Sequence, residues 1–369
     1  MKPPKKKILI VIGTRPNFIK VTRFKRVATG FPSLEVKIVH TGQHYDNRMA
    51  RVFFDAFGLI PDFLLDLEPG SAASQAGEMI KGLAAVMEQY RPDLVMVVGD
   101  VNSTLCGAIA ANKLGIRLAH LESGLRSFDR TMPEELNRII TDELADIFFV
   151  TEQSGCDNLL NERRDPCSIF LVGNTMIDTL LAFRDRIETS QVMEELGLEK
   201  NNFVLITIHR PATVDTPGGL QQLAELIGTI SARDRVVFPI HPRTLKRLSE
   251  FGLIGAFRGN PRLVLCDPLD YFSFQKLVAS CKLVITDSGG IQEETTFLGV
   301  PCLTLRKNTE RPITITSGTN ELIPFDPEII VQKTGLIASG RYKKGKVPDL
   351  WDGRSTERVV QILEKKLCM

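Results

Sequence analysis

The chain has 369 residues, 46 Lys+Arg against 44 Asp+Glu, a formal net charge of +2, and 43% hydrophobic residues, enough apolar material to fill a core in each of two or three domains. Acids that nearly cancel bases exclude a polyanion-binding surface, so no nucleic-acid partner is expected, although the sum says nothing about a local basic pocket. Seven scattered cysteines without a C-x-x-C pair exclude a disulfide framework or zinc site, and no apolar run reaches transmembrane length, so a reducing, cytoplasmic setting without a membrane partner is expected.

Short apolar runs predict strands at residues 7–12, 36–40, 94–98, 116–120, 147–151 and 168–172, with helical periodicity at 16–29, 74–90, 103–114 and 134–145. Continuous Val/Ile/Leu runs alternating with helices predict a parallel sheet covered on both faces. The pattern then restarts, with strands at 203–208, 235–240, 262–265, 282–286 and 301–305 and helices near 218–232, 271–280 and 291–298. A polar interval at 184–202 reads as the junction, and a last helix is expected at about 354–367. The expected architecture is α/β, two Rossmann-like doubly wound parallel-sheet domains facing a central cleft, one over residues 1–183 and one over 200–353.

Such sheets bind ligands beyond the carboxyl ends of their strands. After the first strand comes G-T-R-P-N-F-I-K, whose Gly13 permits close backbone approach and whose Arg15 and Lys20 could meet an anion at a helix N-terminus. The second strand ends His40, Thr41, Gly42 rather than on an acid, and neither G-x-G-x-x-G nor a Walker A sequence is present, which argues against NAD and against a P-loop NTPase. The third strand leads to Asp100, a position equally suited to a helix N-cap, and the next places His120, Glu122 and Arg126 near one rim. Pro133, Glu134 and Glu135 open the following helix, where one of the two glutamates serves only the helix dipole. Three acids, Asp100, Glu122 and Glu134, would then converge, and like charges crowded together raise one another's pKa toward values useful in acid and base catalysis.

In the second half a strand runs into His209 and Arg210, and the next repeats the pattern with His241 and Arg243. T-D-S-G-G-I-Q-E-E over 286–294 follows another strand: Ser288, Gly289 and Gly290 offer backbone N–H groups at a helix N-terminus, and Glu294, about one turn on, can accept hydrogen bonds from a ribose diol. Arg306 and Arg311 follow the next strand. The expectation is an acidic wall from the first half and a cationic one from the second, suited to a nucleotide diphosphate carrying a neutral group. No D-x-D spacing occurs, and the phosphate charge can be met by side chains and helix dipoles, so no metal and no cofactor are expected.

These motifs, with T-G-Q-H at 41–44, E-S-G-L-R at 122–126, P-E-E-x-N-R at 133–138, D-S-G-G-I-Q-E-E at 287–294 and E-R-P at 310–312, run in order along nearly the whole chain and resemble the non-hydrolysing UDP-N-acetylglucosamine 2-epimerases. The resemblance implies a GT-B fold, a homodimer, a terminal helix over 354–369 that crosses back onto the first domain, and a UDP-sugar substrate inverted at C2. It implies elimination of UDP to a 2-acetamidoglucal and re-addition, since the C2 proton is not alpha to a carbonyl. Asp100, Glu122, Glu134 and His209 match the family's catalytic positions, with the face served by each acid left open. Arg15, Lys20, Arg210, Ser288, Gly289, Gly290, Glu294 and Arg311 match UDP-binding positions, and Gln43, His44 and His241 a possible second site for an activating UDP-N-acetylglucosamine. The chain departs from common bacterial members after Arg210, reading P-A-T-V-D, and after His44, reading Y-D-N-R-M. Those departures leave open that second site and a modified sugar such as a 2,3-diacetamido uronic acid. A hydrolysing epimerase, a GT-B glycosyltransferase and a catalytically silent nucleotide-sugar binder are the alternatives.

Overall fold

A computed structural model describes residues 4–42 and 54–368, and divides the chain into two compact units, Met1–Ala182 with Asp349–Met369, and Phe183–Pro348. In the first unit β1 (Lys6–Ile12), β2 (Leu34–His40), β3 (Phe63–Leu64), β4 (Leu94–Val98), β5 (Arg117–Leu121), β6 (Ile147–Val150) and β7 (Ile169–Leu171) form a parallel sheet in the order 3-2-1-4-5-6-7. The order reverses between β1 and β4, the place where a doubly wound sheet opens a crevice at its carboxyl edge. β4 is buried along its whole length, as a strand covered on both faces must be. Leu9, Val11, Val95 and Val97 pack on one face against Met79, Leu83 and Met87 of α2 (Ala72–Tyr90) and Ala108 and Ala111 of α3 (Asn102–Lys113), which follow α1 (Arg15–Val21).

The continuous helix expected over 16–29 lapses at Thr22 and Arg23, although their backbones remain right-handed. There the Thr22 hydroxyl lies 2.6 Å from that of Thr179, on α5 (Thr175–Ala182), which follows α4 (Pro133–Leu144). In the second unit β8 (Phe203–Thr207), β9 (Arg235–Pro239), β10 (Leu263–Cys266), β11 (Leu283–Thr286), β12 (Cys302–Leu305) and β13 (Asn320–Ile323) form another parallel sheet in the order 10-9-8-11-12-13. Alternate residues of β8 serve its two faces: Val204 and Ile206 join Leu220, Leu223 and Ile227 of α6 (Pro217–Ser231), whereas Phe203 and Leu205 join Leu277 and Val278 of α8 (Tyr271–Ser280). Between those helices lies α7 (Pro242–Glu250), and after β11 comes α9 (Gly289–Leu298).

Two separate Rossmann-like sheets, the fold class implied by the resemblance, are therefore present. β13 escapes sequence reading because Asn320 begins it, yet Asn320 is fully buried, accepting from Thr304 at 2.6 Å and donating to Gln292 at 3.1 Å. The last helix, α10 (Ser355–Cys368), belongs to the first unit, where Asp178 of α5 accepts from the N–H groups of Ser355 at 3.1 Å and Thr356 at 2.6 Å. Trp351, just before it, is buried and donates to the Thr151 carbonyl at 3.2 Å. All seven cysteines are free thiols, and no helix among the described residues is long and apolar enough to cross a membrane.

Candidate active site

In the first unit the turn after β1 requires glycine. A Cβ on Gly13 would fall 1.8 Å from the Ser103 hydroxyl oxygen and 2.6 Å from that of Thr41, two groups already 2.6 Å apart in a hydrogen bond. The chain then enters α1, with Arg15 exposed at its first position and Lys20 buried within it. The Lys20 ammonium pairs with the Glu122 carboxylate, both side chains being nearly solvent-free. Glu122 follows β5 in the left-handed region at φ 72°, a strained setting for a residue with a side chain and one that clusters at functional sites.

Asp100 follows β4 and accepts from Arg138 of α4 at 2.5 Å, while Arg138 reaches back to Glu135 at 2.6 Å. Glu135 also accepts from the Ser127 N–H and hydroxyl, each at 2.9 Å, and from the Phe128 N–H at 2.8 Å. Its carboxylate is thus committed to holding the loop before α4. Glu134 is half-buried and its side chain makes no hydrogen bond with the described residues, so geometry separates two adjacent glutamates that sequence left equivalent. His120 and Arg126 stand differently from expectation. Rather than lining a rim, His120 is completely buried, and Arg126, 4% exposed, pairs with Asp142 at 2.7 Å and with Glu162 at 2.7 Å.

In the second unit Asp287, a residue sequence reasoning passed over inside its motif, organises the turn after β8. One of its carboxylate oxygens accepts from the N–H groups of His209 at 3.0 Å and Arg210 at 2.8 Å; the other lies 3.3 Å from His209 Nδ1. The His209 ring lies beside that of His241, centroids 5.8 Å apart. His241 caps α7, its Nδ1 accepting from the Arg243 N–H at 3.2 Å, and burial followed by the neighbouring charges of His209 and Arg243 holds its pKa below the usual imidazole value.

Ser288 occupies the N-cap of α9, its own N–H bonded to Thr286 Oγ1 at 3.0 Å, and its side chain caps nothing. The first-turn N–H groups of a helix have no partner within it, so the Ser288–Gly290 segment can receive an anion. Gly289 is also the floor for Arg311: a Cβ there would lie 2.9 Å from Arg311 Nη1 and from Glu310 Oε1. Arg311 is buried between Glu293, at 2.9 Å, and Glu310, and Glu310 also holds Arg306 at 3.0 Å. Burial, reinforced by the like charges of Arg210 and Arg311, outweighs Glu310 and pulls Arg306 below the usual arginine range. Glu294 is buried beside Gln275 and Tyr271, and burial, with Glu293 adding repulsion against the Gln275 hydrogen bond, raises its pKa to about 7.

Each unit is therefore less polarised than its sequence suggests. Lys20 and Arg138 answer Glu122 and Asp100 in the first unit, and Glu293 and Glu310 answer Arg311 and Arg306 in the second. A buried ion without a partner costs several kcal/mol, so these buried charges fold in with their complements. Gln43 and His44 lie outside the described residues.

A sequence-family profile described as UDP-N-acetylglucosamine 2-epimerase matches residues 28–364. The UDP-N-acetylglucosamine 2-epimerase of Methanococcus maripaludis is 39% identical over 98% of this chain and 99% of its own length. The UDP-2,3-diacetamido-2,3-dideoxy-D-glucuronate 2-epimerase of Pseudomonas aeruginosa is 37% identical over 97% of this chain and 99% of its own. Among solved structures, the UDP-GlcNAc 2-epimerase of Methanocaldococcus jannaschii in complex with UDP-GlcNAc and UDP matches with a TM-score of 0.88 at 37% identity, covering 97% of this chain and 99% of that one.

Proposed function

The chain belongs to the UDP-N-acetylglucosamine 2-epimerase family, and from that premise we propose that it interconverts UDP-N-acetylglucosamine and UDP-N-acetylmannosamine without net hydrolysis. The observation that carries the proposal is the placement of Asp100 and Glu122 beyond the carboxyl ends of the neighbouring strands β4 and β5, with Glu134 on α4, whose Arg138 grips Asp100. One carboxylate removes the C2 proton as the C1–O bond breaks and its electron pair leaves with UDP, giving the 2-acetamidoglucal. A second carboxyl group returns a proton to the opposite face of C2 while the UDP oxygen adds back to C1, so atoms and charge balance over the cycle.

The second unit holds the departing UDP. The Ser288–Gly290 backbone, Arg210 and Arg311 take the diphosphate, Glu294 takes the ribose diol, and His209, oriented by Asp287, stands on the phosphate side. In the first unit, Arg15 and Lys20 occupy the family's anion-binding positions, with Lys20 paired to Glu122.

Glu134→Gln and Asp100→Asn test these roles. Each should lower kcat by about 10²–10⁴-fold, the contribution expected of a positioned acid or base, with UDP affinity nearly unchanged. Full activity in both would remove the site assignment, and an inactive wild type that binds UDP would leave a silent binder. The 37% identity to the Pseudomonas enzyme favours a second reading, epimerisation of the diacetamido uronate. NMR of products from a panel of UDP-HexNAc substrates decides between them.

A further inference from the structure

The turns that carry Asp100 and Glu122 rest on one buried cluster. His120, 0% exposed, projects from β5 with Nε2 2.8 Å from the Gly99 carbonyl oxygen and Nδ1 2.6 Å from Asp142 Oδ1 on α4. Both neighbours are acceptors, and a ring nitrogen can satisfy an acceptor only by donating, so each nitrogen must carry a proton. The other Asp142 oxygen accepts from the Gly124 N–H at 3.1 Å and from Arg126 Nη1 at 2.7 Å, and Arg126 forks onto Glu162 at 2.8 and 2.7 Å.

Charge leads to the same state. Asp142 is solvent-free and shares its one cation, Arg126, with the partly exposed Glu162, and an imidazolium at His120 makes the cluster neutral; a neutral ring would leave a lone pair facing an acceptor. Asp142 conforms: burial alone would raise its pKa, but the charges of His120 and Arg126 hold it below the ordinary aspartate value. At Gly99 itself, the Lys20 ammonium would lie 3.4 Å from a Cβ on that glycine.

We propose that His120 is a doubly protonated positioning residue that, through Gly99 on one side and Asp142 and Gly124 on the other, locks together the turns bearing Asp100 and Glu122. Gly99 and Gly124 both sit at positive φ, 66° and 76°, so each turn has a backbone conformation for the cluster to hold. The catalytic consequence rests on the proposed roles of Asp100 and Glu122; the protonation of His120 does not.

The chain has five histidines, so long-range proton–nitrogen NMR spectra of the ¹⁵N-labelled protein resolve them individually. At about pH 8, where an exposed imidazole is neutral, one ring should still carry protons on both nitrogens, and that signal should be missing in His120→Gln. A singly protonated His120 at that pH overturns the proposal. If His120→Gln does not fold, substituting the other four histidines one at a time assigns the wild-type signal by elimination. In turnover, His120→Gln and Asp142→Asn should lose up to about 100-fold in kcat with KM within about threefold, the pattern of misplaced reacting groups rather than lost binding. A folded His120→Gln with kcat within about twofold of wild type also overturns it. Should the wild type epimerise no substrate, the proposed function fails while the spectrum still reads His120.

Discussion

Glu294 shows how burial sets the protonation of a single carboxyl group. A carboxyl group one turn into a helix is ordinary in sequence; it becomes unusual because α8 brings Tyr271 and Gln275 against it and removes water, lifting its pKa to about 7. The sign follows. Between the ordinary glutamate value and about 7 the folded protein binds a proton that the unfolded chain has released, so this group's contribution to stability declines as pH rises through that window and is flat above it. Ribose hydroxyls donate to the ionised form, so binding should expel that proton, and UDP affinity should climb with pH up to about 7. Calorimetry in two buffers of different ionisation heat, comparing wild type with Glu294→Gln so that the titration of UDP itself cancels, measures the proton released. Equal release from both proteins would contradict the assignment. The same scale explains what sequence could not separate. Glu134 and Glu135 are neighbours in the chain but about 100° apart around a helix, so one turns inward to Arg138 and the Ser127 loop while the other remains available.

At the scale of elements, strands were legible because a strand buried on both faces must be an unbroken apolar run, as β4 is. What was not legible depends on partners distant in sequence. β3 has two residues and no pattern of its own; β13 carries Asn320 inward because Thr304 and Gln292 satisfy it. Asp287 organises His209 and Arg210 across 77 or more positions of chain, which no local motif announces. α10 is a comparable case. Its amphipathic sequence predicts a helix, but its N-terminus is tied down by Asp178, 177 residues earlier. Replacing Asp178 with alanine should cost about 1–2 kcal/mol, the usual price of a lost cap, and should speed amide exchange at the start of α10 while β4 keeps its protection. Exchange that accelerates evenly over both elements, or not at all, would show that Asp178 does not act as that cap.

At the scale of the whole molecule, a net charge of +2 conceals ion pairs distributed over both units. The proton-transfer groups we propose belong to the first unit and the anion-binding groups we propose belong to the second, so the proposed reaction draws on residues of both. The central claim is that the C2–H bond breaks and re-forms while the sugar nucleotide is conserved. Incubation with UDP-N-acetylglucosamine in D₂O, followed by NMR, tests it most directly. Deuterium at C2 of both UDP-N-acetylglucosamine and UDP-N-acetylmannosamine, with the total sugar nucleotide undiminished, is the predicted result. UDP accumulating without recoverable sugar nucleotide, or no deuterium in this sugar or its diacetamido uronate counterpart, would contradict it.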